Sequence, residues 1–264
     1  MVLTEDDLPA TRRRGAAKIT TQRVDIGGLA FRVLSSVSPT TAEPAIVLVH
    51  GIGVSHRYLS RLHDELAAAH RTVISVDLPG FGGLPKPGTD VDVPTMGEAI
   101  GRVLEQLSLG PVVLFGHSMG SQWVVETALQ RPELLTSVVV MGPVADDRHR
   151  TILRQTRALS IDTLLEPPTV NTIVLTDYLR CGIPWYLTQL RHMLAYRLEE
   201  RVPQLTVPLL IIRGGADPIA GLEWCRRLRD DAPRAELVQI PEHHHVAQHS
   251  APRAVASAVL SLAS

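Results

Sequence analysis

The residue most able to do chemistry is Ser118, in the stretch Gly116-His117-Ser118-Met119-Gly120. Before it lies a short apolar run, Val112 to Phe115, and from it a stretch of helical spacing runs to Gln130. A chain that passes directly from strand to helix presents the turning residue above the sheet. So sharp a turn requires small residues two places before and two places after, and Gly116 and Gly120 meet that demand. The same serine could serve only as a helix N-cap between incidental glycines, but its place at a strand-to-helix junction favours a nucleophile. The helix start also aims free N–H groups and a partial positive charge at the hydroxyl. A neutral serine needs a base to take its proton and an acid to orient that base. Asp217, in a glycine-rich loop, and Asp146 or Asp147 are the candidate acids; His243, His244, His245 and His249 are the candidate bases. A metal reading of the three adjacent histidines with Glu242 and His249 is set aside. Neighbouring residues rarely point at one ion, and no HExxH or zinc-type spacing occurs.

These residues must be carried by something, and the order of patterns says what. Two β-rich runs between Thr21 and Val37 flank Gly27-Gly28 and read as a hairpin. Ala45 to His50 is continuously apolar, the mark of a strand buried on both faces. Helical spacing follows from about Ser55 to His70, then a strand at Thr72 to Val76 and a loop from Asp77. Thr95 to Leu107 reads as a helix, and Ser137 to Met141 as a strand. The pattern then changes: residues 145–204 have helical spacing and no convincing apolar strand. Strands resume at Val207 to Ile212 and Ala235 to Ile240, with helices near Gly221 to Arg229 and from Pro252. His249 is expected in the loop or the first turn of that last helix. Alternation of this kind predicts a three-layer α/β/α sandwich with a mostly parallel eight-stranded sheet. Residues 145–204 are then an inserted helical lid over the carboxyl ends of the strands, where ligands of open parallel sheets bind. Residues 19–144 and 205–264 form the core, and residues 1–18 a charged, loose extension.

Bulk properties narrow the function. With 26 basic and 27 acidic residues the net charge is −1, which offers no broad field to nucleic acid or an anionic membrane. Two cysteines, Cys181 and Cys225, are too few for a disulfide scaffold and suit reduced thiols in a cytoplasmic protein. The first residues lack the features of a signal peptide, and no apolar run is long enough to span a membrane. The expected partner is a small molecule, bound by a monomer or homodimer.

Several further segments carry a resemblance to a known family. Val49-His50-Gly51, Asp77-Leu78-Pro79-Gly80-Phe81-Gly82, the Ser118 pentapeptide, Arg213 to Pro218 and His245 to Pro252 stand in the order and spacing of the α/β-hydrolases. The chain resembles the serine-nucleophile branch of that superfamily from about residue 20 onward. The resemblance implies a chain order of serine, acid, histidine, with Asp217 as acid and Asp146 or Asp147 as the alternative some relatives use. It implies His245 as base, seven residues before Pro252, and leaves His50, His56, His63 and His117 structural or exposed. Mechanism and resemblance together make the backbone N–H groups of Ile52 and Met119 the oxyanion hole. Trp123, Tyr178, Trp185, Tyr186 and Met193 are candidates for a substrate pocket, though aromatic residues at helical spacing are more often core. The implied activity is hydrolysis of a small, mainly apolar ester or lactone through an acyl-enzyme, with no cofactor and no metal. The same triad also serves carbon–carbon bond hydrolysis and cofactor-free perhydrolysis, and a hydrolase fold can be a non-catalytic ligand-binding protein. Activity is expected to fall below a pH of roughly 6 to 7 as His245 protonates.

Overall fold

A computed structural model describes residues 19–38, 43–147 and 168–262. The N-terminal extension, residues 1–18, and the stretch 148–167 of the expected lid lie outside the described residues. One sheet of eight strands organises the rest, in the order β1-β2-β4-β3-β5-β6-β7-β8. The hairpin β1 (Ile19–Ile26) and β2 (Leu29–Ser36) turns at Gly27 and Gly28, both of positive φ. β2 pairs antiparallel with β4 (Val73–Asp77) as well. The remaining pairs are parallel: β3 (Ile46–Val49) lies between β4 and β5 (Val112–His117), followed outward by β6 (Leu135–Met141), β7 (Leu209–Gly214) and β8 (Ala235–Ile240).

Burial follows position in the sheet. Every residue of β3, β4, β5 and β7 is buried, which is why those runs are apolar without alternation. Edge strand β1 buries only Val24 and Ile26. Helix α1 (Ser60–Ala68) follows a 3₁₀ turn at His56–Leu59, so the helical spacing read from Ser55 divides in two. α1 packs against the last helix on one face of the sheet, sharing a core of Leu59, Leu62, Leu66, Val255 and Val259. On the opposite face α2 (Val93–Leu107) and α3 (Gly120–Gln130) cover Val47, Leu114 and Val138 with Met96, Ile100, Val103 and Val124. Asp92 caps α2, accepting from the Thr95 amide at 2.9 Å.

Between β6 and β7, residues 168–204 are mostly helical: α4 (Pro168–Cys181), α5 (Ile183–Ala195) and the short α6 (Leu198–Arg201). The returning chain is held to α3 by Glu126, which is buried. Its carboxylate takes Arg201 Nη2 at 2.7 Å and the Tyr196 hydroxyl at 2.8 Å. α7 (Leu222–Asp231) joins β7 to β8. After β8 a separate four-residue helix, α8 (Ala247–Ser250), precedes α9 (Pro252–Leu262). His249 therefore sits in α8 and not in the loop or first turn of the final helix, because the chain bends at Ala251 before Pro252 starts the next helix.

The parallel register gathers the functional loops. Val49 pairs with Gly116, His117 with Met141, Met141 with Ile212, and Gly214 with Ile240. The strands thus end nearly level, and the segments leaving them meet at one edge.

Candidate active site

Ser118 follows the last residue of β5 with φ +56°, the left-handed region that a serine occupies only at a cost of about 1–3 kcal/mol. Its own amide is tied to the Met141 carbonyl at 2.9 Å, the first hydrogen bond beyond the β5–β6 ladder. The glycines allow the turn to close. A Cβ on Gly116 would lie 2.3 Å from the Gly120 carbonyl oxygen, and one on Gly120 would lie 2.6 Å from that of His50. The steric demand read from the pentapeptide is therefore a backbone-on-backbone contact.

Asp217 and His245 meet on the chain leaving β6, the strand whose last residue, Met141, holds the Ser118 amide. His245 Nδ1 donates to Asp217 Oδ2 at 2.9 Å, with both side chains almost fully enclosed. The other carboxylate oxygen accepts the amides of Ile219 at 2.7 Å and Ala220 at 3.0 Å. Burial opposes the charge on Asp217, but the imidazole and these two amides hold its carboxyl below the ordinary range. Asp146 and Asp147 face elsewhere and share Arg227 Nη2, at 2.8 Å and 2.6 Å. The imidazole thus rests on Asp217. Of the other candidate bases, His243 Nδ1 pairs with the Ser250 hydroxyl at 2.9 Å, and His244 Nδ1 contacts the Ala216 carbonyl at 3.2 Å.

Glycines shape this side too. A Cβ on Gly142 would fall 2.8 Å from His245 Cε1 and 2.9 Å from Nδ1, so the ring lies directly on the chain leaving β6. Gly214 is tighter: a Cβ would come within 2.1 Å of the His244 carbonyl oxygen and 2.3 Å of that of His243. Backbone cannot rotate away as a side chain can. Gly214→Ala is expected to displace the histidine loop, lowering stability by about 1–3 kcal/mol. Thermal unfolding checks this, with Gly221→Ala, which meets nothing within 4 Å, as the control.

His117, beside the serine, links the two halves. Its Nε2 donates to the His245 carbonyl at 3.0 Å, and the two rings lie 4.8 Å apart. Burial, reinforced by the neighbouring His245, pushes it down to about 3, so it stays neutral. His50 is also buried, and burial lowers its pKa. Its Nδ1 donates to the Gly51 carbonyl at 2.7 Å and its Nε2 accepts the Leu78 amide at 3.1 Å, stitching the loop after β3 to the loop after β4. His56 and His63 are likewise occupied, by Asp77 and by Ser75 with Ser36.

Gly51 brings the loop after β3 onto the nucleophile, since a Cβ there would stand 3.5 Å from Ser118 Oγ. Ile52 and Met119, the two residues whose amides matter most if the serine is acylated, are both buried. The aromatic residues fall into two groups. Trp123 lies 6.0 Å from Phe81 and 6.4 Å from His50, and Trp185 of α5 lies 6.2 Å from Phe81. Tyr178 of α4 and Tyr186 of α5 pair at 5.2 Å. Met193 is buried, and its carbonyl accepts Gln122 Nε2 at 2.9 Å, fixing α5 on α3. Phe81 joins the two tryptophans; its signal in the sequence is its place in the run Asp77 to Gly82 that resembles the α/β-hydrolases, which by itself does not mark the ring as part of a site. Among the described residues no three His, Cys, Asp or Glu side chains are grouped to hold a metal ion. Among them, too, no helix is long and apolar enough to cross a membrane.

Comparison with known proteins bears on the whole arrangement. The sequence model of the Alpha/beta hydrolase family matches residues 46–258. The chain is 27% identical to the dihydrolipoyllysine-residue acetyltransferase component of the acetoin cleaving system of Pseudomonas putida, over 91% of this chain and 68% of that one. It is 26% identical to the uncharacterized hydrolase YugF of Bacillus subtilis strain 168, over 80% of this chain and 86% of that one. The enol-lactonase of Burkholderia xenovorans LB400 has the same fold, with a TM-score of 0.78 at 17% identity, covering 91% of this chain and 99% of that one. With the eight-stranded sheet, the left-handed serine turn and a family match running from β3 into α9, the chain belongs to the Alpha/beta hydrolase family.

Proposed function

We propose that the protein is a serine hydrolase that cleaves a small, mainly apolar ester or lactone through an acyl-enzyme on Ser118. The buried hydrogen bond of 2.9 Å between His245 Nδ1 and Asp217 is the observation that carries this reading. It fixes the tautomer, because a proton held on Nδ1 leaves Nε2 as the lone-pair nitrogen. In the proposed reaction Nε2 takes the proton of Ser118 Oγ as the oxygen attacks the acyl carbon. The amides of Ile52 and Met119 receive the oxyanion. Collapse of the tetrahedral species expels the alcohol, which leaves with the proton from His245. Water then repeats the sequence and frees the acid and the serine. The apolar cluster of Trp123, Phe81 and Trp185, packed against His50 at the start of the loop that reaches Ser118 through Gly51, supports an apolar acyl or alcohol part. An enol-lactonase among proteins of the same fold is compatible with a lactone.

A fluorophosphonate probe tests the assignment, because it phosphonylates only an activated serine. Labelling is expected at Ser118, together with turnover of at least one member of a panel of short-chain esters and lactones. Labelling elsewhere removes Ser118 from the role. A protein that binds a ligand but neither labels nor turns over is a binding protein with this fold. The pH profile gives a second test. Burial holds His63 and His249 down to about 4 and His117 to about 3. Those rings stay neutral through the mildly acidic range and supply no acid limb in kcat/KM there; the proposed mechanism expects that limb from His245. A profile flat down to about pH 5 counts against it as base.

A further inference from the structure

Residues 51–55 run from the nucleophile to the helices between β6 and β7. At one end a Cβ on Gly51 would lie 3.0 Å from Ser118 Cβ. Two residues on, Gly53 has φ +78°, and a Cβ there would lie 2.5 Å from Tyr178 Cε1 and 3.1 Å from Tyr186 Cδ2. At the far end Ser55 Oγ donates to Asp177 Oδ2 at 2.5 Å. Asp177 and Tyr178 are consecutive residues of α4, so one turn of that helix meets the segment twice: a ring against Gly53 and a carboxylate on Ser55. About 100° separates neighbouring side chains around a helix, so the two contacts come from different directions.

Asp177 is fully buried, a position a carboxylate keeps only when paired. Arg57 Nη1 donates to its Oδ1 at 3.1 Å, and Arg180 Nη1 lies at 3.4 Å. Arg57 belongs to the 3₁₀ turn immediately after Ser55. Asp177 therefore grips this part of the chain at two places two residues apart. The segment so held contains Ile52, whose amide is one of the two proposed oxyanion donors.

We propose that Ser55 and Asp177 are positioning residues for catalysis, with α4 holding the loop after β3 so that the Ile52 N–H points at the developing oxyanion. This rests on the oxyanion role proposed above for Ile52. α4 then contributes to the rate of acylation as well as to the choice of substrate. A misplacement of about 1 Å in such a donor costs on the order of a hundredfold in rate, while ground-state binding is nearly untouched.

The test compares wild type with Ser55→Ala, Asp177→Asn and the double variant on one aryl ester, with phenylboronic acid as a tetrahedral, anionic adduct of Ser118. Each single variant is expected to lose about tenfold to a hundredfold in kcat with KM within about twofold, and boronate affinity should fall in parallel. The double variant should lose little more than the worse single one, since both break one contact. Thermal unfolding reports whether each variant folds. If Asp177→Asn does not, Ser55→Ala, which deletes one hydroxyl, carries the test. Wild-type kcat and boronate affinity in folded Ser55→Ala overturn the proposal, as does a rise in KM at constant kcat, which would make these residues part of a pocket. A wild-type protein with no turnover and no fluorophosphonate label overturns the hydrolase reading itself, and the positioning role with it.

Discussion

Ser118→Ala is expected to lower kcat by at least about 10⁴-fold toward any ester the wild type cleaves, with KM little changed. Removing the nucleophile of a serine triad costs on the order of 10⁶ in kcat, and the residual rate comes from binding and oxyanion stabilisation. Since no acyl-enzyme can form, any burst of released alcohol should disappear together with fluorophosphonate labelling. Alanine leaves the backbone as strained as serine does, because both carry a Cβ at φ +56°. Ser118→Gly separates the two effects. It should be as inactive, yet more stable by about 1–3 kcal/mol, because glycine occupies the left-handed region freely. Equal melting temperatures for Ser118→Gly and wild type would mean that the turn stores no strain. Turnover surviving in both variants would remove Ser118 from the chemistry.

Asp217→Asn should cost about 10⁴-fold in kcat. The amide nearly matches the carboxylate in shape but offers an N–H where His245 Nδ1–H must donate, so the ring is stabilised in the wrong tautomer. The imidazolium formed during acylation also loses its counter-charge. Asp146→Asn and Asp147→Asn, whose carboxylates share Arg227, should change kcat by less than about threefold. A large loss at Asp146 with near-normal activity at Asp217 would reverse the assignment of the acid. The same substitution has a signature in stability. The Asp217 carboxyl is held below its ordinary value of 3.8, so it stabilises the fold above that value. The contribution is lost as pH falls through the lowered folded-state value. Asp217→Asn should remove that part of the acid destabilisation, and chemical denaturation across the acidic range measures it.

The sheet was legible in the sequence because its signals are local. Ala45 to His50 and Val112 to Phe115 had to be apolar throughout to lie between two layers, and no helix of ordinary length fits between their bounding glycines and prolines. Ends were less legible: β5 extends through Gly116 and His117, and the helix begins at Gly120, not at Ser118. Glycine and histidine carry little strand signal, and only pairing with Val140 and Met141 makes them strand. The separate α8 was invisible for a related reason, as four residues are too few for a period. The links of α4 to the core were hidden altogether. Asp177 looks like the polar residue of an exposed helix face until Ser55 and Arg57, about 120 positions away, are brought to it.

By itself the sequence determined that a serine sits on a strand-to-helix turn between obligatory glycines, late in an α/β alternation, with acids and histidines following it. Each of those features is encoded within a few residues by sterics or by hydrophobic period. Only the tertiary structure decided which acid meets which histidine. Asp146, Asp147 and Asp217 all follow strands of the same sheet, and four histidines crowd residues 243–249. Parallel registry sets Gly214 of β7 level with Ile240 of β8, and the chain beyond each strand carries Asp217 to His245 Nδ1. A contact between residues 28 places apart depends on hydrogen-bond registry and on two glycines, Gly142 and Gly214, that leave room for the histidine loop. Those are properties of neighbouring chains, and no local pattern records them.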